Sequence, residues 1–355
     1  MKPKYKIPLM KEVDKIQSNG YKVVSTFSGG GGSCLGYRMS GFKVIWANEF
    51  IEEAANTYKA NHKNSILDQS DIRNLQSSDI LNAIGMKAGE IDLFDGSPPC
   101  SAFSTAGSRD DGWGQAKKYS DKHQKNVEDL FFDYARILKG IQPKVFIAEN
   151  VAGLVKGGAK GYFKQILQAL RDCGYVVTAK VIDAKWLGVP QRRARLIFVG
   201  IRKDLWKPEF EGKTHPKPLS YLVTLKEAFE GLEITKEEAE YADLSNYSIF
   251  KYLKSLPFDT SHVKRYTLSK SSPHGQSFCI TAQCGSRGSA CASHWDNRSY
   301  TIRELKRIMS VPDDFILTGP LPKQGERLGR MVAPLMMKAV ADNIISLGVL
   351  NENTL

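Results

Sequence analysis

The sequence predicts an α/β fold, a doubly wound sheet with a second, smaller module inserted late in the chain. Three observations predict it. Short apolar strands alternate with helical periods up to about Arg202, a glycine turn joins the first strand to the first helix, and polar residues cluster where strands end. Ligands of open α/β sheets collect at the carboxyl ends of strands, so the chemistry is sought there.

Residues 21–28 read as the first strand and run into Gly29, Gly30, Gly31 and Gly32, after which a helical pattern begins. Glycine in that position permits positive φ and close approach of a ligand, beside a helix N-terminus with unpaired N–H groups. Phe27, Ser28, Gly29, Gly31 and Gly32 are therefore candidate contacts for a nucleotide-like cofactor. The G-x-G-x-x-G fingerprint is absent at every offset across 29–36, which removes the main support for hydride transfer. A second strand, 42–48, ends at Glu49, whose carboxylate can accept from ribose hydroxyls. Asp71 and Ile72 follow the next helical segment. They suit an adenine, the aspartate taking the exocyclic amine and the isoleucine packing on the ring; a helix-capping role for Asp71 reads equally well.

The apolar run 91–95 leads into Gly96, Ser97, Pro98, Pro99 and Cys100. Two prolines fix the backbone there, which holds the thiol on a rigid elbow at the end of a buried strand. Taken singly, Cys100 is a free cysteine in a turn. Its company favours a nucleophile: a third strand, 144–148, delivers Glu149, Asn150 and Val151 to the same sheet edge, and a fourth, 196–200, is preceded by Gln191, Arg192, Arg193 and Arg195. Such a basic cluster suits an anion or a polar base edge.

Residues 101–126 form a long polar loop with Gly107, Gly112 and Gly114 as hinges, and a loop of this length in a compact domain is usually functional. Ser101, Ser104, Arg109 and Lys122 are its candidate nucleic-acid contacts. The α/β alternation loosens near Arg202, so residues 203–297 read as an inserted module. Its final part, 264–298, is rich in Ser, Gly, Gln, Arg and His, and Arg287 and Arg298 there suit reading of base edges in a major groove. A helical apolar pattern runs over 327–347 near the end of the sequence.

In these motifs the chain resembles the cytosine-5 DNA methyltransferases, from Phe27 to about Ile345 and in the family's order. Phe27 to Gly32 is similar to the cofactor loop, Pro98-Pro99-Cys100 to the nucleophile motif, Glu149-Asn150-Val151 to the acid motif, and Gln191 to Arg195 to the basic motif. Arg298 to Leu305 with Pro312 to Phe315 resembles the segment that supports the recognition domain. Two departures stand out: Ser101 where the family usually has glutamine, and Arg330 after Gly329 where it usually has asparagine.

The resemblance implies a Rossmann-like doubly wound mixed sheet of the methyltransferase fold. It divides the chain into a catalytic cofactor-binding domain (1–202), a target-recognition domain (203–322) and a C-terminal helix returning to the catalytic domain (323–355). It implies S-adenosylmethionine as cofactor, held by the residues named above with Pro98 and Arg330. It also implies double-stranded DNA as substrate, with Gln191 among the contacts, and base-flipping modification of the restriction-modification kind. Cys100 would add to cytosine C6, Glu149 in its protonated form would donate to N3, and Arg195, with Arg193 beside it, would hold the O2 side. The always-charged Arg330 near a sulfonium opens a variant, carboxymethyl transfer from carboxy-S-adenosylmethionine. A tRNA cytosine-5 methyltransferase and an inactive DNA-binding module are the alternatives; the size of the insert speaks against the first, and the joint presence of Cys100, Glu149 and Arg195 against the second.

Composition agrees. Among 355 residues, 50 Lys and Arg against 38 Asp and Glu give a net charge of +12, which favours a polyanionic partner. The cysteines at 34, 100, 173, 279, 284 and 291 form no C-x-x-C pair and match no common zinc spacing, so free thiols and no metal are expected. With a polar N-terminal segment and no apolar run long enough to span a bilayer, the expectation is a soluble cytoplasmic monomer, prokaryotic or phage-encoded and associated with the nucleoid.

Overall fold

The structure, a computed structural model, describes residues 2–99, 117–119, 122–124 and 129–351. Cys100, Ser101, Ser104 and Arg109 lie outside the described residues, and only the backbone of Lys122 is described.

Seven strands build the main sheet: β1 (Lys22–Thr26), β2 (Lys43–Asn48), β3 (Ile66–Asp68), β4 (Leu93–Gly96), β5 (Val145–Val151), β6 (Tyr175–Asp183) and β7 (Ala194–Arg202), in the spatial order β3-β2-β1-β4-β5-β7-β6. Pairing is parallel from β3 to β5, and β7 then runs antiparallel to both β5 and β6. The expected doubly wound mixed sheet is thus present. Strand order reverses between β1 and β4, and that switch point opens the crevice above the carboxyl ends.

Each central strand is apolar on both faces because helices cover both. Val23, Leu93, Val145, Ile147, Ile197 and Val199 enter one core, whereas Val24, Phe94, Phe146, Ala148, Leu196 and Phe198 enter the other. This is the period of two expected when successive side chains point to opposite faces. The first core is closed by α1 (Gly32–Met39) and the second by α3 (Ser77–Ile84), α4 (Leu130–Ile141) and α5 (Lys160–Asp172); α2 (Glu52–Asn61) follows β2.

Late elements return to the first core. Leu305 and Ile308 of α6 (Ile302–Ile308), Leu328 of α7 (Leu321–Arg330), and Met336, Met337, Val340 and Ile344 of α8 (Pro334–Ser346) all enter it fully buried. Helix α8 lies so close to α1 that a Cβ on Gly36 would meet the Pro334 carbonyl at 2.5 Å. A small separate cluster, Leu244, Ile249, Leu253, Leu256 and Leu268, packs within 244–268 beside a three-stranded ladder of residues 260–261, 269–270 and 292–293. Among the described residues no helix is long and apolar enough to cross a membrane.

Candidate active site

The carboxyl ends of β1, β2, β4 and β5 open on a cavity of about 640 Å³, within the range of about 300–1,000 Å³ usual for small-molecule sites. Its wall unites sequence motifs far apart in the chain: Phe27, Ser28 and Gly29, then Glu49, Asp71 and Ile72, then Pro98 and Pro99, then Glu149, Arg193 and Arg195, and last Arg330.

After β1 the chain turns sharply. Phe27 adopts φ 52°, a region that bulky residues rarely enter. At Gly29, φ is 57° and a Cβ would meet nothing within 4 Å, so this backbone faces open space. Gly31 and Gly32 correct the sequence-based expectation. A Cβ on Gly31 would lie 2.2 Å from the His62 ring and one on Gly32 2.1 Å from the Val332 carbonyl, so protein, rather than a ligand, occupies the room these glycines leave. Neither lines the cavity.

Glu49 is buried, and each of its oxygens accepts a backbone N–H at 2.7 Å, from Gly29 and from Ile51. Burial raises its pKa; the two N–H bonds and the nearby Arg327 and Arg330 oppose that shift. The carboxylate is fixed in orientation with lone pairs to spare. Asp71 pairs with Arg73 at 2.9 Å, and Ile72 is buried on the wall.

Asp95, one residue before the end of β4, was not expected as a functional residue, although an aspartate inside an apolar run was a signal. It is buried and accepts from the hydroxyls of Ser25, Ser33 and Tyr37, each at 2.8 Å, tying β4 to β1 and α1. Burial pushes its pKa up to about 6, against the three hydroxyl donors. The turn beyond is anchored too: Ser97 donates to the Phe27 carbonyl at 3.0 Å, and the Asn150 amide donates to the Pro98 carbonyl at 3.1 Å. Ser97 and Pro98 are thus held on both sides of the turn.

On the antiparallel pair β5 and β7, Val151 lies opposite Arg195, which makes Glu149 a diagonal neighbour on the same face. Arg195 Nε lies 2.9 Å from Glu149 Oε1. Arg193, two residues back, is directed elsewhere. It is 2% exposed and donates to the carbonyls of Ile280, Gly329 and Met331 at 2.8–3.1 Å, so it braces the cavity wall. Burial and the neighbouring Arg195 lower its pKa.

Two expected nucleic-acid contacts, Gln191 and Arg298, are placed otherwise, whereas Arg287 stays exposed. Gln191 is 0% exposed, accepting from Ile280 N–H at 2.9 Å and donating to Met309 Sδ, so it cannot reach DNA. Arg298 makes two bonds to buried Glu304, at 2.7 and 2.8 Å, which directs it inward to α6. Arg287 has its guanidinium 5.1 Å from the Tyr241 ring and 5.7 Å from the Tyr247 ring, and it donates to the Glu240 carbonyl. No group of metal-ligating side chains occurs among the described residues.

A mixed sheet with a cavity at its switch point, a fixed carboxylate at the end of β2 and an acid-arginine pair beside a proline elbow has the layout of an α/β enzyme site. The comparisons are specific. A family model for C-5 cytosine-specific DNA methylases matches residues 21–346, and the chain belongs to that family. It is 28% identical to the Type II methyltransferase M1.HphI of Haemophilus parahaemolyticus, over 91% of this chain and 86% of that one. It is 30% identical to M.MthTI of Methanothermobacter thermautotrophicus over 83% and 87%. With M.NgoPII of Neisseria gonorrhoeae it shares 40% identity, over 53% of this chain and 50% of that one. Among solved structures, a putative DNA modification methyltransferase from an Escherichia coli prophage superposes with a TM-score of 0.71 at 22% identity, covering 94% of this chain and 100% of that one. The Dnmt2 methyltransferase of S. pombe gives 0.65 at 16%, over 93% and 99%.

Proposed function

We propose that this DNA cytosine-5 methyltransferase acts as a monomer on duplex DNA, flipping its target cytosine into the cavity and bonding Cys100 covalently to C6. The observation that carries this reading is the Glu149–Arg195 pair, held at 2.9 Å beside the Pro98–Pro99 elbow that leads into Cys100.

Cytosine C5 is a poor nucleophile, so the ring must first be made electron-rich. The Cys100 thiolate adds to C6, a C–S bond forms, and the displaced electron pair moves onto N3 and O2. Glu149, protonated, donates to N3 while Arg195 stabilises the O2 side. The C5 enamine then takes the methyl group as its bond to the donor sulfur breaks, the bond pair staying on that sulfur as a neutral thioether. Water takes the C5 proton, its bond pair forms the C5–C6 double bond, the C–S pair leaves with the thiolate, and N3 returns its proton to Glu149. S-Adenosylmethionine, when bound, supplies the electrophilic methyl on a sulfonium. Gly29 with its open backbone and Glu49 with its anchored carboxylate fit such a cofactor, with Phe27, Ser28, Asp71, Ile72 and Pro98 on the same wall.

Stacking hides C6 in a duplex, so the base must leave the helix at a cost of a few kcal/mol. Ser101, Ser104, Arg109 and Lys122 are assigned to DNA contact, and the recognition function to residues 203–322. The net charge of +12 supports a polyanionic substrate.

One observation favours a second reading of the cofactor. Arg330 lines the cavity, and in this reading it selects carboxy-S-adenosylmethionine, giving 5-carboxymethylcytosine.

The test is trapping. Duplex containing 5-fluorocytosine, incubated with cofactor, should give an adduct stable to denaturation, and Cys100→Ala should abolish it. An adduct that persists in Cys100→Ala overturns the nucleophile; modification of tRNA in preference to duplex DNA overturns the substrate.

A further inference from the structure

We propose that Arg327 is a carboxylate receptor in the cofactor cavity, an inference that rests on the methyltransferase reading and adds a residue to it. Arg327 lines the cavity and is only 4% exposed, yet its Nε and Nη2 have no hydrogen-bond partner among the described residues. An arginine carries five donors in a rigid fork and stays charged. Burying guanidinium donors without a hydrogen-bond acceptor is costly, and a native protein keeps such a group where something else completes it.

The surrounding charges compensate that cation only in part, through one shared ion pair. Glu326, the nearest acid, lies 3.6 Å from Arg327 Nη2, beyond hydrogen-bonding range. That one carboxylate also serves Arg330 at 2.9 Å and Lys323 at 3.5 Å. Glu49 feels the positive charge of both arginines, but its oxygens accept from Gly29 and Ile51 N–H and not from Arg327 Nε or Nη2. Among the residues lining the cavity, seven are Arg or Lys and three are carboxylates, so the wall as a whole favours an anion.

The backbone holds Arg327 in place. Helix α7 meets residues 282–285 so closely that a Cβ on Gly325 would lie 2.2 Å from the Gly285 Cα, and one on Gly329 2.1 Å from the Thr281 carbonyl. A helix seated this tightly cannot rotate its arginine to solvent. A planar guanidinium at that depth suits a planar carboxylate, which takes two parallel bonds. An S-adenosyl cofactor offers such a group in its amino-acid portion, and carboxy-S-adenosylmethionine offers a second on the transferred carbon.

Calorimetric titration of the full chain tests the assignment, with S-adenosylhomocysteine, carboxy-S-adenosylmethionine and 5′-methylthioadenosine, which lacks every carboxylate. Arg327→Met should weaken binding of a carboxylate-bearing ligand about ten- to a hundredfold, leave methylthioadenosine within about twofold, and Arg327→Lys should recover part of the loss. A loss for S-adenosylhomocysteine assigns the amino-acid carboxylate; a loss confined to carboxy-S-adenosylmethionine assigns the other. Melting without ligand supplies an independent readout: removing a buried guanidinium with unmatched donors, whose carboxylate keeps Arg330 and Lys323, should leave the melting temperature of Arg327→Met unchanged or higher, with a smaller rise on adding ligand. Equal losses for all three ligands, unchanged affinities throughout, a lower melting temperature of the ligand-free variant, or weakened DNA binding with cofactor affinity intact would each overturn the receptor. A wild-type chain that binds none of the three would overturn the methyltransferase reading itself.

Discussion

Glu149 and Arg195 meet at 2.9 Å across two antiparallel strands, on a face that the sheet turns toward the cavity. The pairing follows from register. Val151 lies opposite Arg195, so Glu149, two residues earlier, projects from the same face and reaches it diagonally. Neither side chain is fully buried, at 12% and 14% exposure, which leaves each a surface to offer a substrate.

Glu149→Gln keeps the size and the hydrogen-bonding reach of the side chain but removes the acid. Methyl transfer should slow by about 10² or more, the scale of a positioned acid, while DNA affinity is retained. Single-turnover rates and a filter-binding assay measure the two quantities. Turnover within a few fold of wild type would remove Glu149 from proton transfer.

Arg298 makes two bonds to Glu304, which is 1% exposed and also caps α6 through the Thr301 N–H at 2.8 Å. Arg298→Met would leave that carboxylate buried without its cation. The expected loss is about 3 kcal/mol of stability, with no change in the sequence methylated. Denaturant melts report the first and sequencing of modified cytosines the second. A relaxed target site in a stable variant would return Arg298 to the DNA contacts.

The fold was legible because each central strand is an apolar run and each motif stands at a strand end. The fine placement was not. Gly31 and Gly32 look the same in sequence whether a ligand or a side chain fills the space beside them, and His62 and Val332 come from distant segments. Gln191 sits among arginines and reads as exposed; its burial depends on Ile280 and Met309, which lie 89 and 118 positions away. Arg327 opens an apolar helical pattern in the sequence and gives no sign there of facing a cavity. Only the close approach of Gly325 to Gly285 turns it inward.

Asp95 gives a pH signature. Its pKa is raised from 3.8 to about 6 in the fold, so the folded state binds a proton that the unfolded state releases between those values. The associated stability is fully present below the unfolded value and is lost as pH rises through about 6. Relative to Asp95→Asn, wild type should lose about 2 kcal/mol between about pH 4 and about pH 7. Urea melts across that range check it. Parallel pH profiles for the two proteins would mean that Asp95 is charged throughout.

Arg330 tests which group is transferred. Its Nε pairs with Glu326 at 2.9 Å, and the residue lines the cavity where the family usually has asparagine. A fixed cation close to a sulfonium repels it, and the repulsion grows as the dielectric falls. An extra carboxylate on the transferred carbon would turn that repulsion into attraction, so the second reading expects wild type to prefer carboxy-S-adenosylmethionine and Arg330→Asn to shift toward S-adenosylmethionine. Where Glu326 holds Arg330 aside, both proteins should make only 5-methylcytosine. Mass analysis of nucleosides from DNA treated with each cofactor separates the outcomes. A carboxymethyl product from wild type that switches to methyl in Arg330→Asn would establish the selection, and methyl product alone, unchanged in the variant, would eliminate it.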